Sequence, residues 1–367
     1  MKMNILHTEA SPGWGGQEIR ILREAIAMRE RGHNLVFAIQ ADGGLVKPLR
    51  EKGFKVYEIP FTYKRSIRCL LTLFKIFKKH KIDIINSHSS IDSWLTGIAA
   101  RLKCIKIVRT RHLSTPIRKG LNSRLLYKTL ADAVVTTCKR AALTIREQAS
   151  ISPERCLSIP TGMDIESFKA SAADSVAFRK KFKISEDTIL IGTTCILRGW
   201  KGVQHMMEAI KKLPDMKNLK LVVVGDGVSR LWLENICREL GVTDRVIFTG
   251  YIDNPAAAIN AMEIFLLLST ANEGVSQASL QAAYLGKPQI TTPIGGLDEV
   301  CLDGKTGYVV PVADSSAVAR AIRKLLKNPQ RRKDFGEAAR QLVIENYTIK
   351  HTYEEMERIY RQVLSSK

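Results

Sequence analysis

Short β-branched and apolar runs alternate along the chain with longer segments whose apolar positions recur every three to four residues. The runs at 4–7, 35–39, 55–59, 83–87, 106–109 and 133–137 read as strands. Segments 17–31, 66–80, 92–102 and 139–149 lie between them and read as helices. The pattern then restarts, with strands at 188–195, 220–224, 246–249, 264–268 and 289–292 and helices at 203–213, 229–240 and 277–285. Helices at 315–326, 330–345 and 352–364 close the chain with no strand among them. Such alternation predicts parallel sheets covered by helices on both faces. Two rounds of it predict an α/β protein of two doubly wound domains facing across a cleft. The joint falls near 159–168, where Pro160 and Gly162 interrupt regular structure, and the polar stretch 169–174 reads as a linker. The expected divisions are 1–165, 166–348 and a terminal helix over 349–367 that can pack back on the first domain.

Composition narrows the function. The 367 residues carry 57 Lys+Arg against 36 Asp+Glu, a formal charge of +21, with 45% hydrophobic residues. The apolar content excludes a disordered chain, and the charge asks for a polyanionic partner. Residues 1–165 hold 29 basic and 13 acidic side chains, so most of the excess lies in the first half. Stretches 59–82 and 93–131 contain no acid at all. In the first, Arg68, Lys75, Lys78 and Lys79 alternate with Leu70, Leu71, Leu73, Phe74, Ile76 and Phe77, a basic amphipathic helix suited to an anionic membrane surface. No apolar run is long enough for a secretory signal or a membrane span. The seven cysteines are scattered, the nearest pair 18 residues apart, which fits reduced thiols in a cytoplasmic setting rather than a zinc site. The expected location is cytoplasmic, peripheral on the inner face of the inner membrane.

Four loops at strand ends carry candidate chemistry. The first, 11–18, opens a helix with Gly15 and Gly16, whose bare amides suit a phosphate. Neither the G-x-G-x-x-G fingerprint nor a Walker A motif is present, so NAD and ATP lack their usual supports. The second, 195–204, places Arg198 and Lys201 before a helix, two cations able to neutralise a diphosphate. The third ends a strand in Gly225-Asp226-Gly227. The fourth, 269–288, sets Glu273 in a loop and Gln281 two turns into the next helix, a carboxylate and an amide suited to sugar hydroxyls. In the first domain His88 and His112 follow strands, with Arg111 beside the latter.

Together these loops resemble the GT-B glycosyltransferases, specifically the large family 4 of retaining enzymes. The family's Gly-Gly-x-Glu loop looks like Gly15-Gly16-Gln17-Glu18, and its N-G-V-D-x-x-x-F element is similar to residues 161–168. Its G-D-G loop matches residues 225–227, and its F-x-G-Y strand end matches 248–251. Its E-G-x(6)-E-A, G-x-P, G-G-x-x-E and G-x-x-G signature looks like Glu273-Gly274, Gln281-Ala282, Gly286-Lys287-Pro288, residues 295–299 and residues 304–307. Two positions depart: Gln281 stands where the family has a second glutamate, and Ile196-Leu197 where it has Arg-Leu, leaving Arg198 as the diphosphate arginine.

The resemblance implies two Rossmann-like domains, the second holding a nucleotide-sugar donor (UDP- or GDP-) and the first an acceptor. Donor-binding residues would be Gly15, Gly16, Arg198, Lys201, Gly227, Tyr251, Ile252, Gly274, Val275, Ser276 and Gln281. His112 and Glu273 would act at the transferring sugar, and His88 and Arg111 on the acceptor side. It implies retention of configuration and no cofactor or metal; no Asp-x-Asp motif occurs. The expected acceptor is a lipid-linked or lipopolysaccharide-type glycan. A nucleotide-sugar epimerase of the same fold is the alternative. A nucleic-acid-binding protein is a more remote one, since no helix-turn-helix, zinc or RNA-binding motif accompanies the charge.

Overall fold

The computed structural model describes residues 2–112 and 117–366. The chain divides into two compact units, Met1–Pro160 with Thr352–Lys367 and Thr161–His351. Each is a doubly wound parallel sheet.

In the first unit seven strands run in the order β3-β2-β1-β4-β5-β6-β7. They are β1 Asn4–Glu9, β2 Asn34–Gln40, β3 Lys55–Ile59, β4 Ile84–Ser87, β5 Lys106–Arg111, β6 Ala133–Thr136 and β7 Cys156–Ser158. Successive side chains on a strand point to opposite faces. Thus Ile5 and Phe37 pack under helix Gly16–Glu30 through Ile21, Ala25 and Met28. Their neighbours Leu6, Val36 and Ala38 face Leu73, Ile76 and Phe77 of helix Ser66–His80 and Leu95 and Ala99 of helix Ser90–Leu102. The strand order reverses between β1 and β4, and in open α/β sheets ligands bind beyond the carboxyl ends at such a switch point.

The second unit orders six strands β10-β9-β8-β11-β12-β13. They are β8 Ile189–Thr194, β9 Leu219–Val224, β10 Val246–Gly250, β11 Ile264–Leu267, β12 Gln289–Thr291 and β13 Gly307–Val309. Its core joins Ile191, Leu221 and Leu266 with Met206 and Ile210 of helix Val203–Lys211 and Ile322 of helix Ser315–Leu326. The switch point here lies between β8 and β11. Among the described residues, no helix is long and apolar enough to cross a membrane.

Three expectations need correction. Strands β7 and β13 were not anticipated; each is a three-residue sheet edge, CLS and GYV, too short to show a period. The stretch 169–174 is not merely linker: Ser171 caps helix Ala172–Lys181 through a reciprocal capping box with Asp174. The division falls at Pro160/Thr161 rather than at 165. Met163 N–H donates to Tyr347 O over 2.7 Å and Ile349 N–H to Met163 O over 2.9 Å, so residues 161–165 pair inside the second unit. A Cβ on Gly162 would come within 2.2 Å of Thr348 O, so this pairing demands glycine.

The last helix, Ile349–Ser365, enters the first unit at Thr352 and buries Met356, Ile359, Tyr360 and Val363 in the core with Ile5 and Val135. Each such side chain contributes about 1.5–3 kcal/mol. A polar thread accompanies it: Tyr360 OH donates to Glu24 over 2.7 Å, Asn86 Nδ2 donates to Tyr360 OH over 2.7 Å, and Thr110 Oγ1 donates to Asn86 over 2.8 Å. Glu357 accepts Arg31 at 2.5 Å and Arg361 at 2.5 Å, which hold its carboxyl down at about 2 against the cost of burial.

Candidate active site

In the first unit, strands β1, β4 and β5 are neighbours, and each carries a histidine in its second half or just beyond its carboxyl end. His7 lies within β1, while His88 and His112 directly follow β4 and β5. They form a row. His7 Nδ1 lies 3.0 Å from His88 Nε2, and His88 Nδ1 lies 3.0 Å from His112 Nε2. The rings of His7 and His88 stack at 5.3 Å, and Phe37 stacks on the far side of His7 at 5.3 Å. Burial disfavours the imidazolium, so His7 falls to about 3 and the other two lie well below their ordinary value. All three are therefore neutral near pH 7. A neutral imidazole donates from one nitrogen and accepts at the other, so the row has a single direction of donation. His7 is fully buried and its Nε2 has no partner among the described residues, while His112 at the other end is half-buried, so His112 is the end of the row nearer solvent.

Beside the row two carboxyls are buried. Asp92 accepts the His88 backbone N–H over 3.1 Å and Thr8 Oγ1 over 2.9 Å; burial raises its carboxyl to about 6. Glu9, at the end of β1, accepts Ser11 N–H over 2.6 Å together with Ser89 Oγ and Gln17 Nε2. Burial, helped by the charge of Asp92, raises Glu9 to about 7, so it holds a proton for much of the time near neutrality. Sequence reasoning missed His7, Glu9 and Asp92. The signal was there: His-Thr-Glu follows the apolar pair Ile5-Leu6 within one strand.

The expected loop glycines sit at the start of helix Gly16–Glu30, with Gly15 at its N-cap in extended conformation. A Cβ on Gly16 would meet nothing within 4 Å, and one on Gly15 only Glu18 Oε2 at 3.6 Å. The chain's own packing therefore does not require glycine at either position.

In the second unit the loops after β8 and β9 are stitched together. Leu197 N–H donates to Asp226 O over 2.9 Å, and Cβ atoms on Gly225 and Gly227 would lie 1.9 Å from Cys195 O and 2.4 Å from Leu197 O. Tyr251 and Ile252 follow β10 and lie close to this pair of loops, because Gly225 N–H donates to Gly250 O over 2.9 Å. The Tyr251 side chain is exposed, with its hydroxyl donating to Asp253 over 3.1 Å.

Lys201 and Glu273 come from the two strands flanking the switch point. Lys201 Nζ donates to Glu273 Oε1 over 2.5 Å, and Ser269 Oγ donates to the same oxygen over 2.6 Å. Two features hold the pair. Thr270 N–H donates to Trp200 O over 2.7 Å, and Gly296 N–H donates to Gly274 O over 3.2 Å. Gly202 (φ +70°) and Gly295 (φ +64°) allow the close approaches, since Cβ atoms there would lie 1.9 Å from Leu268 O and 1.8 Å from Glu273 O. Val275 is buried behind Glu273, and Gly274 and Ser276 lead into helix Gln277–Tyr284, with Ser276 at its N-cap.

Two expected donor residues stand apart from this pair. Arg198 is exposed and lies over the Trp200 ring at 5.1 Å, while Ile196, at the family's arginine position, is 61% exposed. The Gln281 side chain is half-buried and makes no hydrogen bond among the described residues, whereas Glu273 is committed to Lys201 and Ser269. Gln277 and Tyr284, one turn before and after Gln281 on the same side of that helix, donate to Thr161 O and Ile165 O over 2.7 and 3.2 Å.

The Glycosyltransferase Family 4 domain matches residues 14–167 and the Glycosyl transferases group 1 domain residues 174–342. The chain is 28% identical, over 79% of its length and 77% of the relative's, to an N-acetyl-alpha-D-glucosaminyl L-malate synthase of Bacillus anthracis. It is 24% identical, over 95% of both chains, to the capsular polysaccharide biosynthesis glycosyltransferase CapM of Staphylococcus aureus. Among solved structures, Anabaena HepE in complex with UDP superposes with a TM-score of 0.85 at 20% identity, covering 98% of this chain and 100% of that one. With the two domains matched in order and two doubly wound units of GT-B type, the chain belongs to the group 1 glycosyltransferases.

Proposed function

We propose that this enzyme transfers a sugar with retention of configuration from a UDP- or GDP-sugar to a lipid-linked or lipopolysaccharide-type glycan, without a metal. The observation that carries this reading is the Lys201–Glu273 pair at the switch point of the second unit. A cation and a carboxylate held 2.5 Å apart offer one group to a diphosphate and one to sugar hydroxyls. Solved neighbours bound to UDP and to UDP-glucose support a nucleotide-sugar donor.

In the reaction the bond from the sugar's anomeric carbon to the β-phosphate oxygen breaks and a bond to an acceptor oxygen forms. Negative charge grows on the departing nucleoside diphosphate. Lys201, Arg198 and the amides of Gly15 and Gly16 stabilise it, and Glu273 with the amides of Gly274 to Ser276 holds the sugar. Tyr251, Ile252 and Gly227 border the nucleotide, and Gln281 accepts a ribose hydroxyl through its carbonyl oxygen. The acceptor proton leaves with the diphosphate, and His112 orients the reacting hydroxyls as the open end of the histidine row. No side chain is assigned as nucleophile; attack and departure occur on the same face of the sugar.

The basic first unit supports work at an anionic membrane surface on the cytoplasmic side. On helix Ser66–His80, Ile67 and Leu71 are 74% and 55% exposed among the exposed cations Arg68, Lys75, Lys78 and Lys79. A thermal-shift panel of UDP- and GDP-sugars, followed by donor-hydrolysis assays, tests the reading. A raised melting temperature and slow hydrolysis are expected. Binding of neither nucleotide refutes it, and donor turnover to an epimer with no acceptor replaces it with the epimerase.

A further inference from the structure

We propose that a cavity in the first unit, next to the histidine row, binds a phosphate group carried by the acceptor; this rests on the transferase reading above. The cavity measures about 290 Å³ and is lined by Arg109, Arg111 and Arg118, with Ser90, Trp94 and Tyr127 among its walls. Ligand pockets run from about 300 to 1,000 Å³, so this one holds a single phosphorylated group rather than an oligosaccharide.

The arrangement follows from the strand. On β5, residues 107, 109 and 111 share a face, and Ile107 anchors that face in the core under helices Ser66–His80 and Ser90–Leu102. Arg109 and Arg111 are thereby carried to its carboxyl end. Tyr127 fixes both: the Arg109 guanidinium lies 4.4 Å from its ring centre, and Arg111 donates to its hydroxyl over 3.1 Å.

The decisive observation is Arg109. It is only 3% exposed, yet among the described residues its Nε and Nη1 have no hydrogen-bond partner. Leaving buried donors unmade is costly, and more so for charged groups. Asp92 attracts Arg109, but its Oδ2 accepts Thr8 and the His88 backbone, its buried Oδ1 makes no hydrogen bond to Arg109 or to any other described residue, and among the described residues no acid lines the cavity. Ser90 adds the positive end of a 13-residue helix. A planar carboxylate is matched by one guanidinium fork, whereas three forks call for the additional oxygens of a phosphate. The position suits an acceptor: Ser90 lies two residues past His88, and Arg111 directly precedes His112.

Thermal shift and calorimetry of the full chain, in the presence of UDP, test the proposal with inorganic phosphate, glycerol 3-phosphate, malate and glycerol. Both phosphates should raise the melting temperature, malate should bind at least fivefold more weakly than phosphate, and glycerol should have no effect. Arg118→Gln, in a loop where folding is not at stake, should weaken phosphate at least tenfold; Lys119→Gln, next to it and outside the cavity, should not. Arg109→Gln should act in the same direction, with circular dichroism checking its fold. No response to phosphate, equal affinity for malate, or an unchanged affinity in Arg118→Gln overturns the proposal. Vesicles of phosphatidylcholine with phosphatidic acid distinguish the source. Binding that depends on Arg118 assigns the phosphate to a lipid acceptor, and binding of glycerol 3-phosphate alone assigns it to a soluble one. A chain that responds to phosphate through Arg118 but to neither UDP nor GDP keeps the cavity and loses the transferase reading.

Discussion

Lys201 and Glu273 are 72 residues apart in sequence and 2.5 Å apart in space. Parallel pairing of β8 with β11 brings their loops together, and Gly202 and Gly295 admit the close backbone approaches that hold them. Both side chains are largely sequestered, at 18% and 7% exposure, so each is the other's main electrostatic partner. An enzyme that must present a cation to a diphosphate keeps it oriented this way, at the cost of a pair that is fragile to single substitution.

Lys201→Met and Glu273→Gln should each destabilise the fold, by about 1–3 kcal/mol, because each strands one largely buried partner. Turnover should fall by about 10²–10³ in either variant, the range seen when a preorganised charge-stabilising group is removed. The double variant should recover much of the stability and none of the turnover. Melting temperature and kcat measured on all three check this; single variants within threefold of the parent turnover would contradict the assignment.

The glycines divide by cause. Gly295→Ala places a Cβ 1.8 Å from Glu273 O in a left-handed backbone, so it should lower stability and displace the Glu273 loop together. Gly16→Ala meets nothing within 4 Å and should leave stability unchanged or slightly raised, by up to about 1 kcal/mol. If bare amides at that helix start approach a donor, Gly16→Ala should nonetheless weaken nucleotide-sugar turnover at least tenfold. Unchanged kcat/KM in Gly16→Ala would remove this loop from the donor site.

Local pattern made most of the fold legible. Leu6 and Phe37 announce buried strands by their runs, and helix Ser66–His80 by its spacing of Cys69, Leu73, Ile76 and Phe77. Edge strands such as Gly307–Val309 carry no period long enough to read. Candidate residues such as Lys201 and Glu273 were legible loop by loop, whereas their pairing across two strand ends was not. The histidine row depends on β1, β4 and β5 lying side by side, a sheet order that no single segment encodes, so His7 reads in isolation as a misplaced core residue. Arg109 is hidden in the same way: only the shared face with Ile107 reveals a buried cation.

The carboxyl of Glu9 makes a signed pH prediction. Its folded value, about 7, lies above its ordinary 4.5, so the folded state binds the extra proton between those limits. Stability from this group is therefore greatest below about pH 4.5 and is lost as pH rises to about 7. The histidine row opposes it: His7, lowered from 6.5 to about 3, favours the fold increasingly as pH rises across that range. Other buried carboxyls whose values are raised, Asp92 and Glu24, are common to parent and variant and cancel in the comparison below. Glu9→Gln keeps the acceptor for Ser89 and Ser11 and removes the titration. The stability difference, Glu9→Gln minus parent, should grow from pH 5 to pH 7 by on the order of 1–3 kcal/mol and level off above it. Urea midpoints at half-unit steps measure this, and a flat difference would mean that Glu9 is ionised in the fold throughout.

Tyr360 tests whether the terminal helix supports the first unit's site from behind. Its hydroxyl donates to Glu24 and accepts from Asn86, which in turn accepts Thr110, so the thread reaches β4 and β5 within two residues of His88 and His112. Tyr360→Phe preserves the packing and leaves Glu24 and Asn86 each short of one partner in a buried setting. The expected cost is about 1–3 kcal/mol, since an orphaned buried polar group forfeits its full desolvation. The same change should loosen the strands that carry the histidine row, raising the acceptor KM while leaving UDP affinity intact, because every residue of the thread belongs to the first unit. Equal losses of UDP and acceptor binding would show general unfolding instead, and a neutral melting temperature would show that water replaces the hydroxyl.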